Sequence, residues 1–287
     1  MNNINTILFP CNYFNNKEVD PDLKQEYEAA LQTGLFNVIL FDYDRYLEDG
    51  KLIINPLPDE PIKAVYRGWM LKPDKYREFF DLLPERNITL ITTPQEYELF
   101  HIFPNVYPFL KDDTAKMIVF DSVQDIDLKR VKNEFDRFMV KDFVKSVKGT
   151  SFPKYFENTV SDAEFNEQMK LFMEYRGGLY TGGICFKEYL DLKRYDNRTN
   201  EYRVFYINHE IATISRNSGQ ADYVPTPPMS LIEKYNNLNS IYYTIDYAEI
   251  ADGTWRILEA GDGQVSGLSD DQDYAAYFRA LYHCINI

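Results

Sequence analysis

The sequence has few cysteines, no long apolar run and no excess of positive charge, and each shortage excludes a class of protein. Its 287 residues include Cys11, Cys185 and Cys284, which are odd in number and far apart. Neither a disulfide framework nor a cysteine-based zinc site is therefore expected. No run of eighteen apolar residues occurs, and the N-terminus lacks the pattern of a secretory signal. We therefore expect a cytoplasmic protein with no membrane partner.

The formal charge of −14 argues against nucleic acid or an anionic membrane as a partner, because both select a basic surface. One window departs from this balance. Residues 128–148 contain seven basic and three acidic side chains. This local excess favours a small anion, and not a polymer, as the ligand.

Common catalytic signatures are also missing: the chain has no GxSxG, HExxH, Walker A or GxGxxG pattern, and its three histidines are isolated. What it does contain is an early strand, helix and strand: apolar runs at 7–12 and 37–42 flank a helix predicted to begin at Asp20-Pro21 and to stop at Gly34. This order predicts a parallel βαβ unit. We place a small α/β domain at 1–112, a polar break at 111–114 and a second domain at 113–287.

The most informative stretch is Ile241–Leu268, IYYTIDYAEIADGTWRILEAGDGQVSGL. Its Asp252-Gly253 pair between two β-rich runs predicts a hairpin with a two-residue type I′ turn. Counting back from such a turn sets Ile250 opposite Trp255, and Asp246 opposite Glu259.

Two carboxylates that face each other across a strand pair destabilise a sheet unless a cation neutralises them. A divalent cation with oxygen ligands is the simplest choice, and Asp262, between two glycines, could bring a third carboxylate close to Asp246 and Glu259. The alternative is an exposed hairpin whose acids point into water, since a slip of one residue would separate the pair.

The segment 137–146, RFMVKDFVKS, alternates as a strand with Lys141 and Lys145 on one face. Ammonium groups about 13 Å apart along a strand could hold the two ends of a polyphosphate. The alternative is two lysines on a solvated edge.

Two arginines stand out for a similar reason. Arg67 lies in the apolar run 64–71, where its guanidinium must find a carboxylate or phosphate, either a substrate or an internal salt-bridge partner. In a hairpin about Asn208-His209, counting sets Arg203 opposite Ile214, which leaves it for a ligand or for a diagonal pair with Glu201.

Taken together, the lysine strand, helix, second strand, arginine hairpin and a final D…DG.W..LE..DG hairpin resemble the ATP-grasp fold. The segments LEAGDGQVSGL, YRG near 67 and EYRVF at 201 are similar to a clade of ATP-grasp proteins encoded by bacteria and phages. This resemblance implies an α/β (α+β) fold with a pre-ATP-grasp domain before two α+β subdomains.

The resemblance also implies ATP and Mg²⁺ as cofactors. Lys141 and Lys145 would contact the phosphates, and Arg203 would face the phosphates or an acyl-phosphate. The remaining implied roles are these: Glu188, Tyr189 and Leu190 as the hinge beside adenine, with Lys187 next to it; Asp246, Glu259 and Asp262 as magnesium ligands; and Arg67 as a contact to a substrate carboxylate.

Two features depart from the family pattern. The usual glutamate, any residue, asparagine ending is Glu259-Ala260-Gly261-Asp262 here, and the glycine-rich lid is reduced to VKGTSF. The resemblance implies a carboxylate–amine ligase that acts on a peptide, protein or amino acid through an acyl-phosphate. A kinase with the same site and a partner-binding protein that has lost catalysis remain as alternatives.

Overall fold

The first part of the chain forms a five-stranded, mostly parallel sheet. The computed structural model describes residues 3–287. The elements are β1 (Thr6–Pro10), α1 (Lys24–Gln32), β2 (Asn37–Phe41), α2 (Tyr43–Asp49), β3 (Ile54–Asn55), β4 (Ile62–Tyr66), α3 (Pro73–Leu82), β5 (Ile88–Leu90), α4 (Pro94–His101) and α5 (Phe103–Leu110). The strand order is β3-β2-β1-β4-β5. Strands β1 and β2 pair in parallel, which confirms the predicted βαβ unit.

The rest of the chain builds two four-stranded sheets. Its elements are β6 (Met117–Phe120), α6 (Leu128–Glu134), β7 (Arg137–Asp142), β8 (Phe156–Glu157), α7 (Asp162–Arg176), β9 (Ile184–Glu188), β10 (Arg194–Tyr195), β11 (Arg198–Thr199), β12 (Glu201–Ile207), β13 (Glu210–Arg216), α8 (Met229–Glu233), β14 (Tyr242–Glu249), β15 (Trp255–Asp262) and α9 (Tyr274–Ile285). The small sheet has the order β6-β9-β7-β8 and the large sheet β13-β12-β14-β15. Strands β10 and β11 form a separate ribbon.

The large sheet shares its cores with the N-terminal segment. On one face Phe205 and Tyr242 pack with residues of β1, α1 and α9. On the other face Tyr243 packs with residues of α4 and α5, including a stacked contact with Phe100. The boundary between 112 and 113 stays a prediction, and the burial of α4 and α5 against the large sheet ties the two parts together.

The last hairpin keeps the predicted pair but reaches it by a different route. Asp246 lies directly opposite Glu259, as the sequence predicts. Near the turn, however, Glu249 and not Ile250 faces Trp255, and a bulge between these two points restores the register. The turn itself has a three-residue loop in which Gly253 has a φ of +87°. The predicted two-residue type I′ turn was therefore wrong.

The preceding hairpin turns at Asn208-His209 as predicted, and both residues have positive φ. A bulge between Phe205 and Tyr206 then shifts the pairing, so that Arg203 faces Ser215 and not Ile214. The predicted register was wrong beyond this bulge. On its other side Arg203 faces Asp246 of β14.

The longest helices of the described part of the chain are too short or too polar to cross a bilayer, and no candidate span is found within residues 3–287.

Candidate functional site

A cavity of about 400 Å³ lies between the small and the large sheet. Its walls include nine of the residues singled out in the sequence: Lys141, Lys145, Lys187, Glu188, Tyr189, Leu190, Arg203, Asp246 and Glu259. Asp262 and Arg67 are not among its walls. The cavity therefore brings together the predicted phosphate-binding cations, the predicted hinge and two of the three predicted magnesium ligands.

Lys141 of β7 joins the two sheets across this cavity. Its Nζ donates a 2.8 Å hydrogen bond to Oε1 of Glu259 on β15. The lysine side chain is buried, whereas that of Glu259 is 39% exposed. Partial removal from water would raise the pKa of Glu259, but the charge and hydrogen bond of Lys141 lower that pKa to about 2. Glu259 is therefore an anion at neutral pH.

Arg203 holds the second carboxylate of the cross-strand pair. Its Nε and Nη2 donate hydrogen bonds of 2.8 and 2.7 Å to the two carboxylate oxygens of Asp246. This bidentate arrangement is the strongest geometry for an arginine and a carboxylate. It replaces the diagonal pair with Glu201 that the sequence left open. Each of the two facing acids thus has its own protein cation, which explains how the sheet tolerates them.

Lys187 lies deeper in the cavity beside Lys141. Its Nζ donates a 2.6 Å hydrogen bond to the carbonyl of Leu258 and lies 4.1 Å from the ring centroid of Phe103. Burial, followed by repulsion from Lys141, lowers the pKa of Lys187 to about 7. Lys141 lies over the same ring, 5.1 Å from its centroid. The aromatic face of Phe103 therefore stabilises two neighbouring cations.

Lys145 occupies a turn and not the predicted strand, because β7 ends at Asp142. The carboxylate of Asp142 shapes this turn by accepting hydrogen bonds from the backbone amides of Val144 and Lys145, at 2.8 and 2.6 Å. Its other oxygen accepts a 2.7 Å hydrogen bond from Arg176. The buried Asp142 thus fixes the loop that presents Lys145 at the mouth of the cavity.

The predicted hinge follows directly after β9. The amides of Glu188 and Tyr189 donate to the carbonyls of Lys116 and Arg137, at 2.9 and 3.0 Å. Among the described residues, these two amides are therefore already used, whereas no acceptor is found for the amide of Leu190. The guanidinium of Arg137 also lies 4.3 Å from the ring centroid of Tyr189 and fixes the position of that ring.

Asp262 is separated from the acidic pair. It pairs with Tyr243, whose ring packs on the face opposite to Asp246, and its side chain is fully buried. One carboxylate oxygen accepts hydrogen bonds from the backbone and the side chain of Gln264. Within residues 3–287, no group of three or more acids, histidines or cysteines is arranged to hold a metal. The predicted three-carboxylate centre is not assembled in this structure.

A small side pocket of about 90 Å³ connects the two regions. Its walls include Asp262, and it shares Lys145, Arg203, Asp246 and Glu259 with the large cavity. Burial raises the pKa of Asp262 to about 8, although the hydrogen bonds from Gln264 act in the opposite direction. The second carboxylate oxygen, Oδ2, is buried and has no hydrogen-bond partner in the described part of the chain.

Arg67 is an internal ion pair and does not face the cavity. It follows the end of β4, and its side chain is 2% exposed. Its Nε and Nη2 donate to the two oxygens of Glu26 at 2.6 and 2.8 Å, and Nη1 donates to the carbonyl of Gly263 at 2.7 Å. The prediction that Arg67 contacts a substrate is not supported by this geometry, which matches the salt-bridge alternative.

Sequence reasoning missed several residues of the cavity wall. Lys154 and Tyr155 line it beside the hinge, and His101 lines the side pocket. The basic and aromatic run FPKYF at 152–156 was the available signal for the first two. No local pattern marks Phe103, because its contact with the two lysines depends on the packing of α5 against β7 and β9.

The structure resembles solved ATP-grasp proteins over almost its whole length. The RimK domain protein ATP-grasp from Sphaerobacter thermophilus aligns with a TM-score of 0.63 and 15% identity, covering 98% of this chain and 99% of that one. The ATP-grasp ligase PsnB complexed with minimal precursor, Mg and ADP aligns at 0.59 and 13%, covering 99% of both chains. D-alanyl-alanine synthetase A from Vibrio cholerae aligns at 0.58 and 12%, covering 99% and 98%.

By sequence, no curated protein matches the chain significantly. A family match does exist: residues 127–281, more than half of the chain, match a family described as an ATP-grasp domain, family 3 of its clade. The matched segment contains every residue of the cavity that carries charge in the sequence prediction, from Lys141 to Glu259. The chain therefore belongs to this family of ATP-grasp domains.

Proposed function

We propose that this protein is an ATP-dependent carbon–nitrogen ligase that joins a carboxylate to the amine of a peptide, protein or amino acid. The observation that carries the proposal is the cavity between the sheets, in which four cations face two carboxylates beside a hinge segment. A cytoplasmic location, where ATP is available, forms part of the proposal.

The cations suit the phosphates of a nucleotide. Lys141, Lys145, Lys187 and Arg203 all line the cavity and donate hydrogen bonds without accepting any. Fixed donors of this kind stabilise charge on a phosphoryl group as it moves, because they need no reorganisation during the reaction. Leu190, whose amide has no acceptor within the described residues, would meet the base at the far end.

The donor set also fits a magnesium ion that accompanies the nucleotide. Magnesium at nucleotide sites needs one or two protein carboxylates, and the remaining positions go to phosphate oxygens and water. Glu259 and Asp246 are two such carboxylates on one face of the sheet, and they would hold the ion. When bound, magnesium would bridge phosphate oxygens and offset their charge. Asp262, the third ligand that the sequence predicts, stays a prediction.

The proposed reaction has two steps. A substrate carboxylate oxygen attacks the γ-phosphorus of ATP, which forms an acyl-phosphate and releases ADP. The nitrogen of the amine then attacks the acyl carbon, the carbon–oxygen bond to phosphate breaks, and the nitrogen loses a proton. The products are an amide, ADP and inorganic phosphate. Lys141 and Arg203 would orient the transferred phosphoryl group, since both reach the same side of the cavity.

The choice of substrate class rests on the structural neighbours. PsnB is a ligase complexed with a precursor, and the Vibrio protein is a D-alanyl-alanine synthetase. Both names describe the joining of amino-acid or peptide groups. At 12 to 13% identity these neighbours support the class and do not identify the acid or the amine.

Calorimetric titration with Mg-ATP tests the site directly. The parent protein should bind Mg-ATP, and Glu259→Gln should weaken binding at least tenfold, whereas Glu164→Gln on the exposed face of α7 should bind as the parent does. Incubation with ATP and a panel of amino acids and dipeptides should then yield ADP and an amide by mass spectrometry. A stable phosphorylated product would identify a kinase instead. No binding of Mg-ATP by the parent would support a non-catalytic binding protein.

A further inference from the structure

The side pocket has one feature that the nucleotide site leaves unexplained, the unpartnered oxygen of Asp262. This side chain is 1% exposed, and its Oδ2 has no hydrogen-bond donor among residues 3–287. A buried acceptor without a donor is destabilising by roughly 1 to 3 kcal/mol. Such an atom in the wall of a pocket indicates that a ligand supplies the missing donor.

The position of the pocket relates it to the proposed reaction. It shares Lys145, Arg203, Asp246 and Glu259 with the large cavity, so it opens beside the end where the phosphates would lie. Met70, from the loop after β4, forms part of its opposite wall. A group bound there would lie between the N-terminal domain and the reacting end of the nucleotide.

The chemistry of the wall selects the ligand. A carboxylate oxygen only accepts hydrogen bonds, so its partner must be a donor, and a primary ammonium group offers three N–H donors with a matching charge. Anionic ligands would be repelled by Asp262 itself. Met70, Phe100 and Val265 supply apolar contacts for a short carbon stem.

A metal ion suits this position less well. Asp262 offers one free oxygen, since Gln264 occupies the other at 3.0 and 3.1 Å. The hydroxyl of Ser266 donates to the carbonyl of Asp262 and lies 2.9 Å from the hydroxyl of Thr244. These oxygens are therefore engaged with one another, and the described chain has no three-acid cluster at this point.

We propose that the side pocket is the subsite for the amine co-substrate, in which Asp262 accepts a hydrogen bond from a primary ammonium group. This inference rests on the proposed ligase function and extends it to the second substrate. A volume of about 90 Å³ equals roughly three water molecules, which admits an amino group with one or two carbon atoms. The rest of a larger amine would extend into the large cavity or into solvent.

Ethylammonium is a probe of suitable size and charge, and ethanol is its uncharged control. In ¹⁵N-resolved NMR spectra, ethylammonium should shift the amide signals of Gly261 and Gly267, which line the pocket, in a saturable way. Asp262→Asn keeps the shape and the acceptor for Gln264 but removes the charge, so it should weaken ethylammonium binding at least tenfold. Asp81→Asn, on the exposed face of α3, is the matched control and should bind as the parent does.

Two further results separate this proposal from its rivals. Mg-ATP affinity should stay within about twofold of the parent in Asp262→Asn; a tenfold loss would make Asp262 a metal ligand and overturn the amine assignment. Equal binding of ethylammonium to the parent and to Asp262→Asn, or no saturable binding to the parent, would also overturn it. Failure of the parent to bind Mg-ATP would instead remove the ligase function, which the amine titration does not depend on.

Discussion

Lys141 and Glu259 are 118 positions apart in the sequence and are joined by a 2.8 Å hydrogen bond. The lysine lies on the small sheet and the glutamate on the large sheet, so this contact closes the cavity from both sides. In the absence of nucleotide, each residue neutralises the other. A phosphate group that enters the cavity would therefore compete with Glu259 for the same ammonium group.

Lys141→Met should weaken Mg-ATP binding at least tenfold. A hydrogen bond to a charged group contributes about 1.5 to 3 kcal/mol, and the loss of the lysine also leaves Glu259 without its nearest cation. Isothermal titration calorimetry measures the change. Lys129→Met on the exposed surface of α6 is the matched control, and equal affinity of the two variants would show that Lys141 does not contact the nucleotide.

The buried pair of Arg67 and Glu26 should matter for stability and not for nucleotide binding. Glu26→Gln leaves a buried guanidinium without its carboxylate and should cost about 3 to 5 kcal/mol in the free energy of unfolding. The double variant Glu26→Leu, Arg67→Met removes both charges and should recover part of that loss. Urea unfolding checks both values, and a fully folded double variant with weakened Mg-ATP binding would return Arg67 to the site.

Gly263 is required by packing and not by backbone conformation, since its φ is not positive. A Cβ atom there would lie 2.3 Å from the buried ring of Tyr242. Gly263→Ala should therefore destabilise the fold by about 1 to 3 kcal/mol, because the rigid ring must move. Gly178→Ala, where a Cβ atom would meet nothing within 4 Å, is the control in thermal unfolding. Equal stabilities would contradict the packing explanation.

His101 should make the protein less stable in mild acid. Burial, followed by repulsion from Lys145, lowers the pKa of His101 from its ordinary 6.5 to about 4. The unfolded chain therefore binds a proton that the folded chain does not, so stability is complete above pH 6.5 and falls as the pH drops towards 4. The loss amounts to at most about 3 kcal/mol.

His101→Phe tests this pH dependence because it keeps the aromatic ring that stacks on Tyr97, with centroids 4.8 Å apart, but cannot take up a proton. Denaturant unfolding of both proteins at several values between pH 7 and pH 4 should show a smaller loss for the variant. Parallel curves would mean that His101 is protonated in the folded state as easily as in the unfolded one.

Local sequence signals located the catalytic half of the protein well. The Asp252-Gly253 pair identified the last hairpin and set Asp246 against Glu259, and the basic window located Lys141. The details of the turn were wrong, because a three-residue loop and a later bulge cancel each other in the count. In the hairpin about Asn208-His209 a single bulge has no such compensation, so the predicted neighbour of Arg203 was displaced by one residue.

The sequence by itself determined the elements, the parallel unit at the start and the presence of facing acids, since these depend on turn residues and on short-range periodicity. Tertiary structure decided which cation meets which acid. Arg67 pairs with Glu26, Arg203 pairs with Asp246, and Lys141 pairs with Glu259, over separations of 41, 43 and 118 residues. Pairings at such distances follow from the way in which the sheets pack, and no local pattern in the chain records that packing.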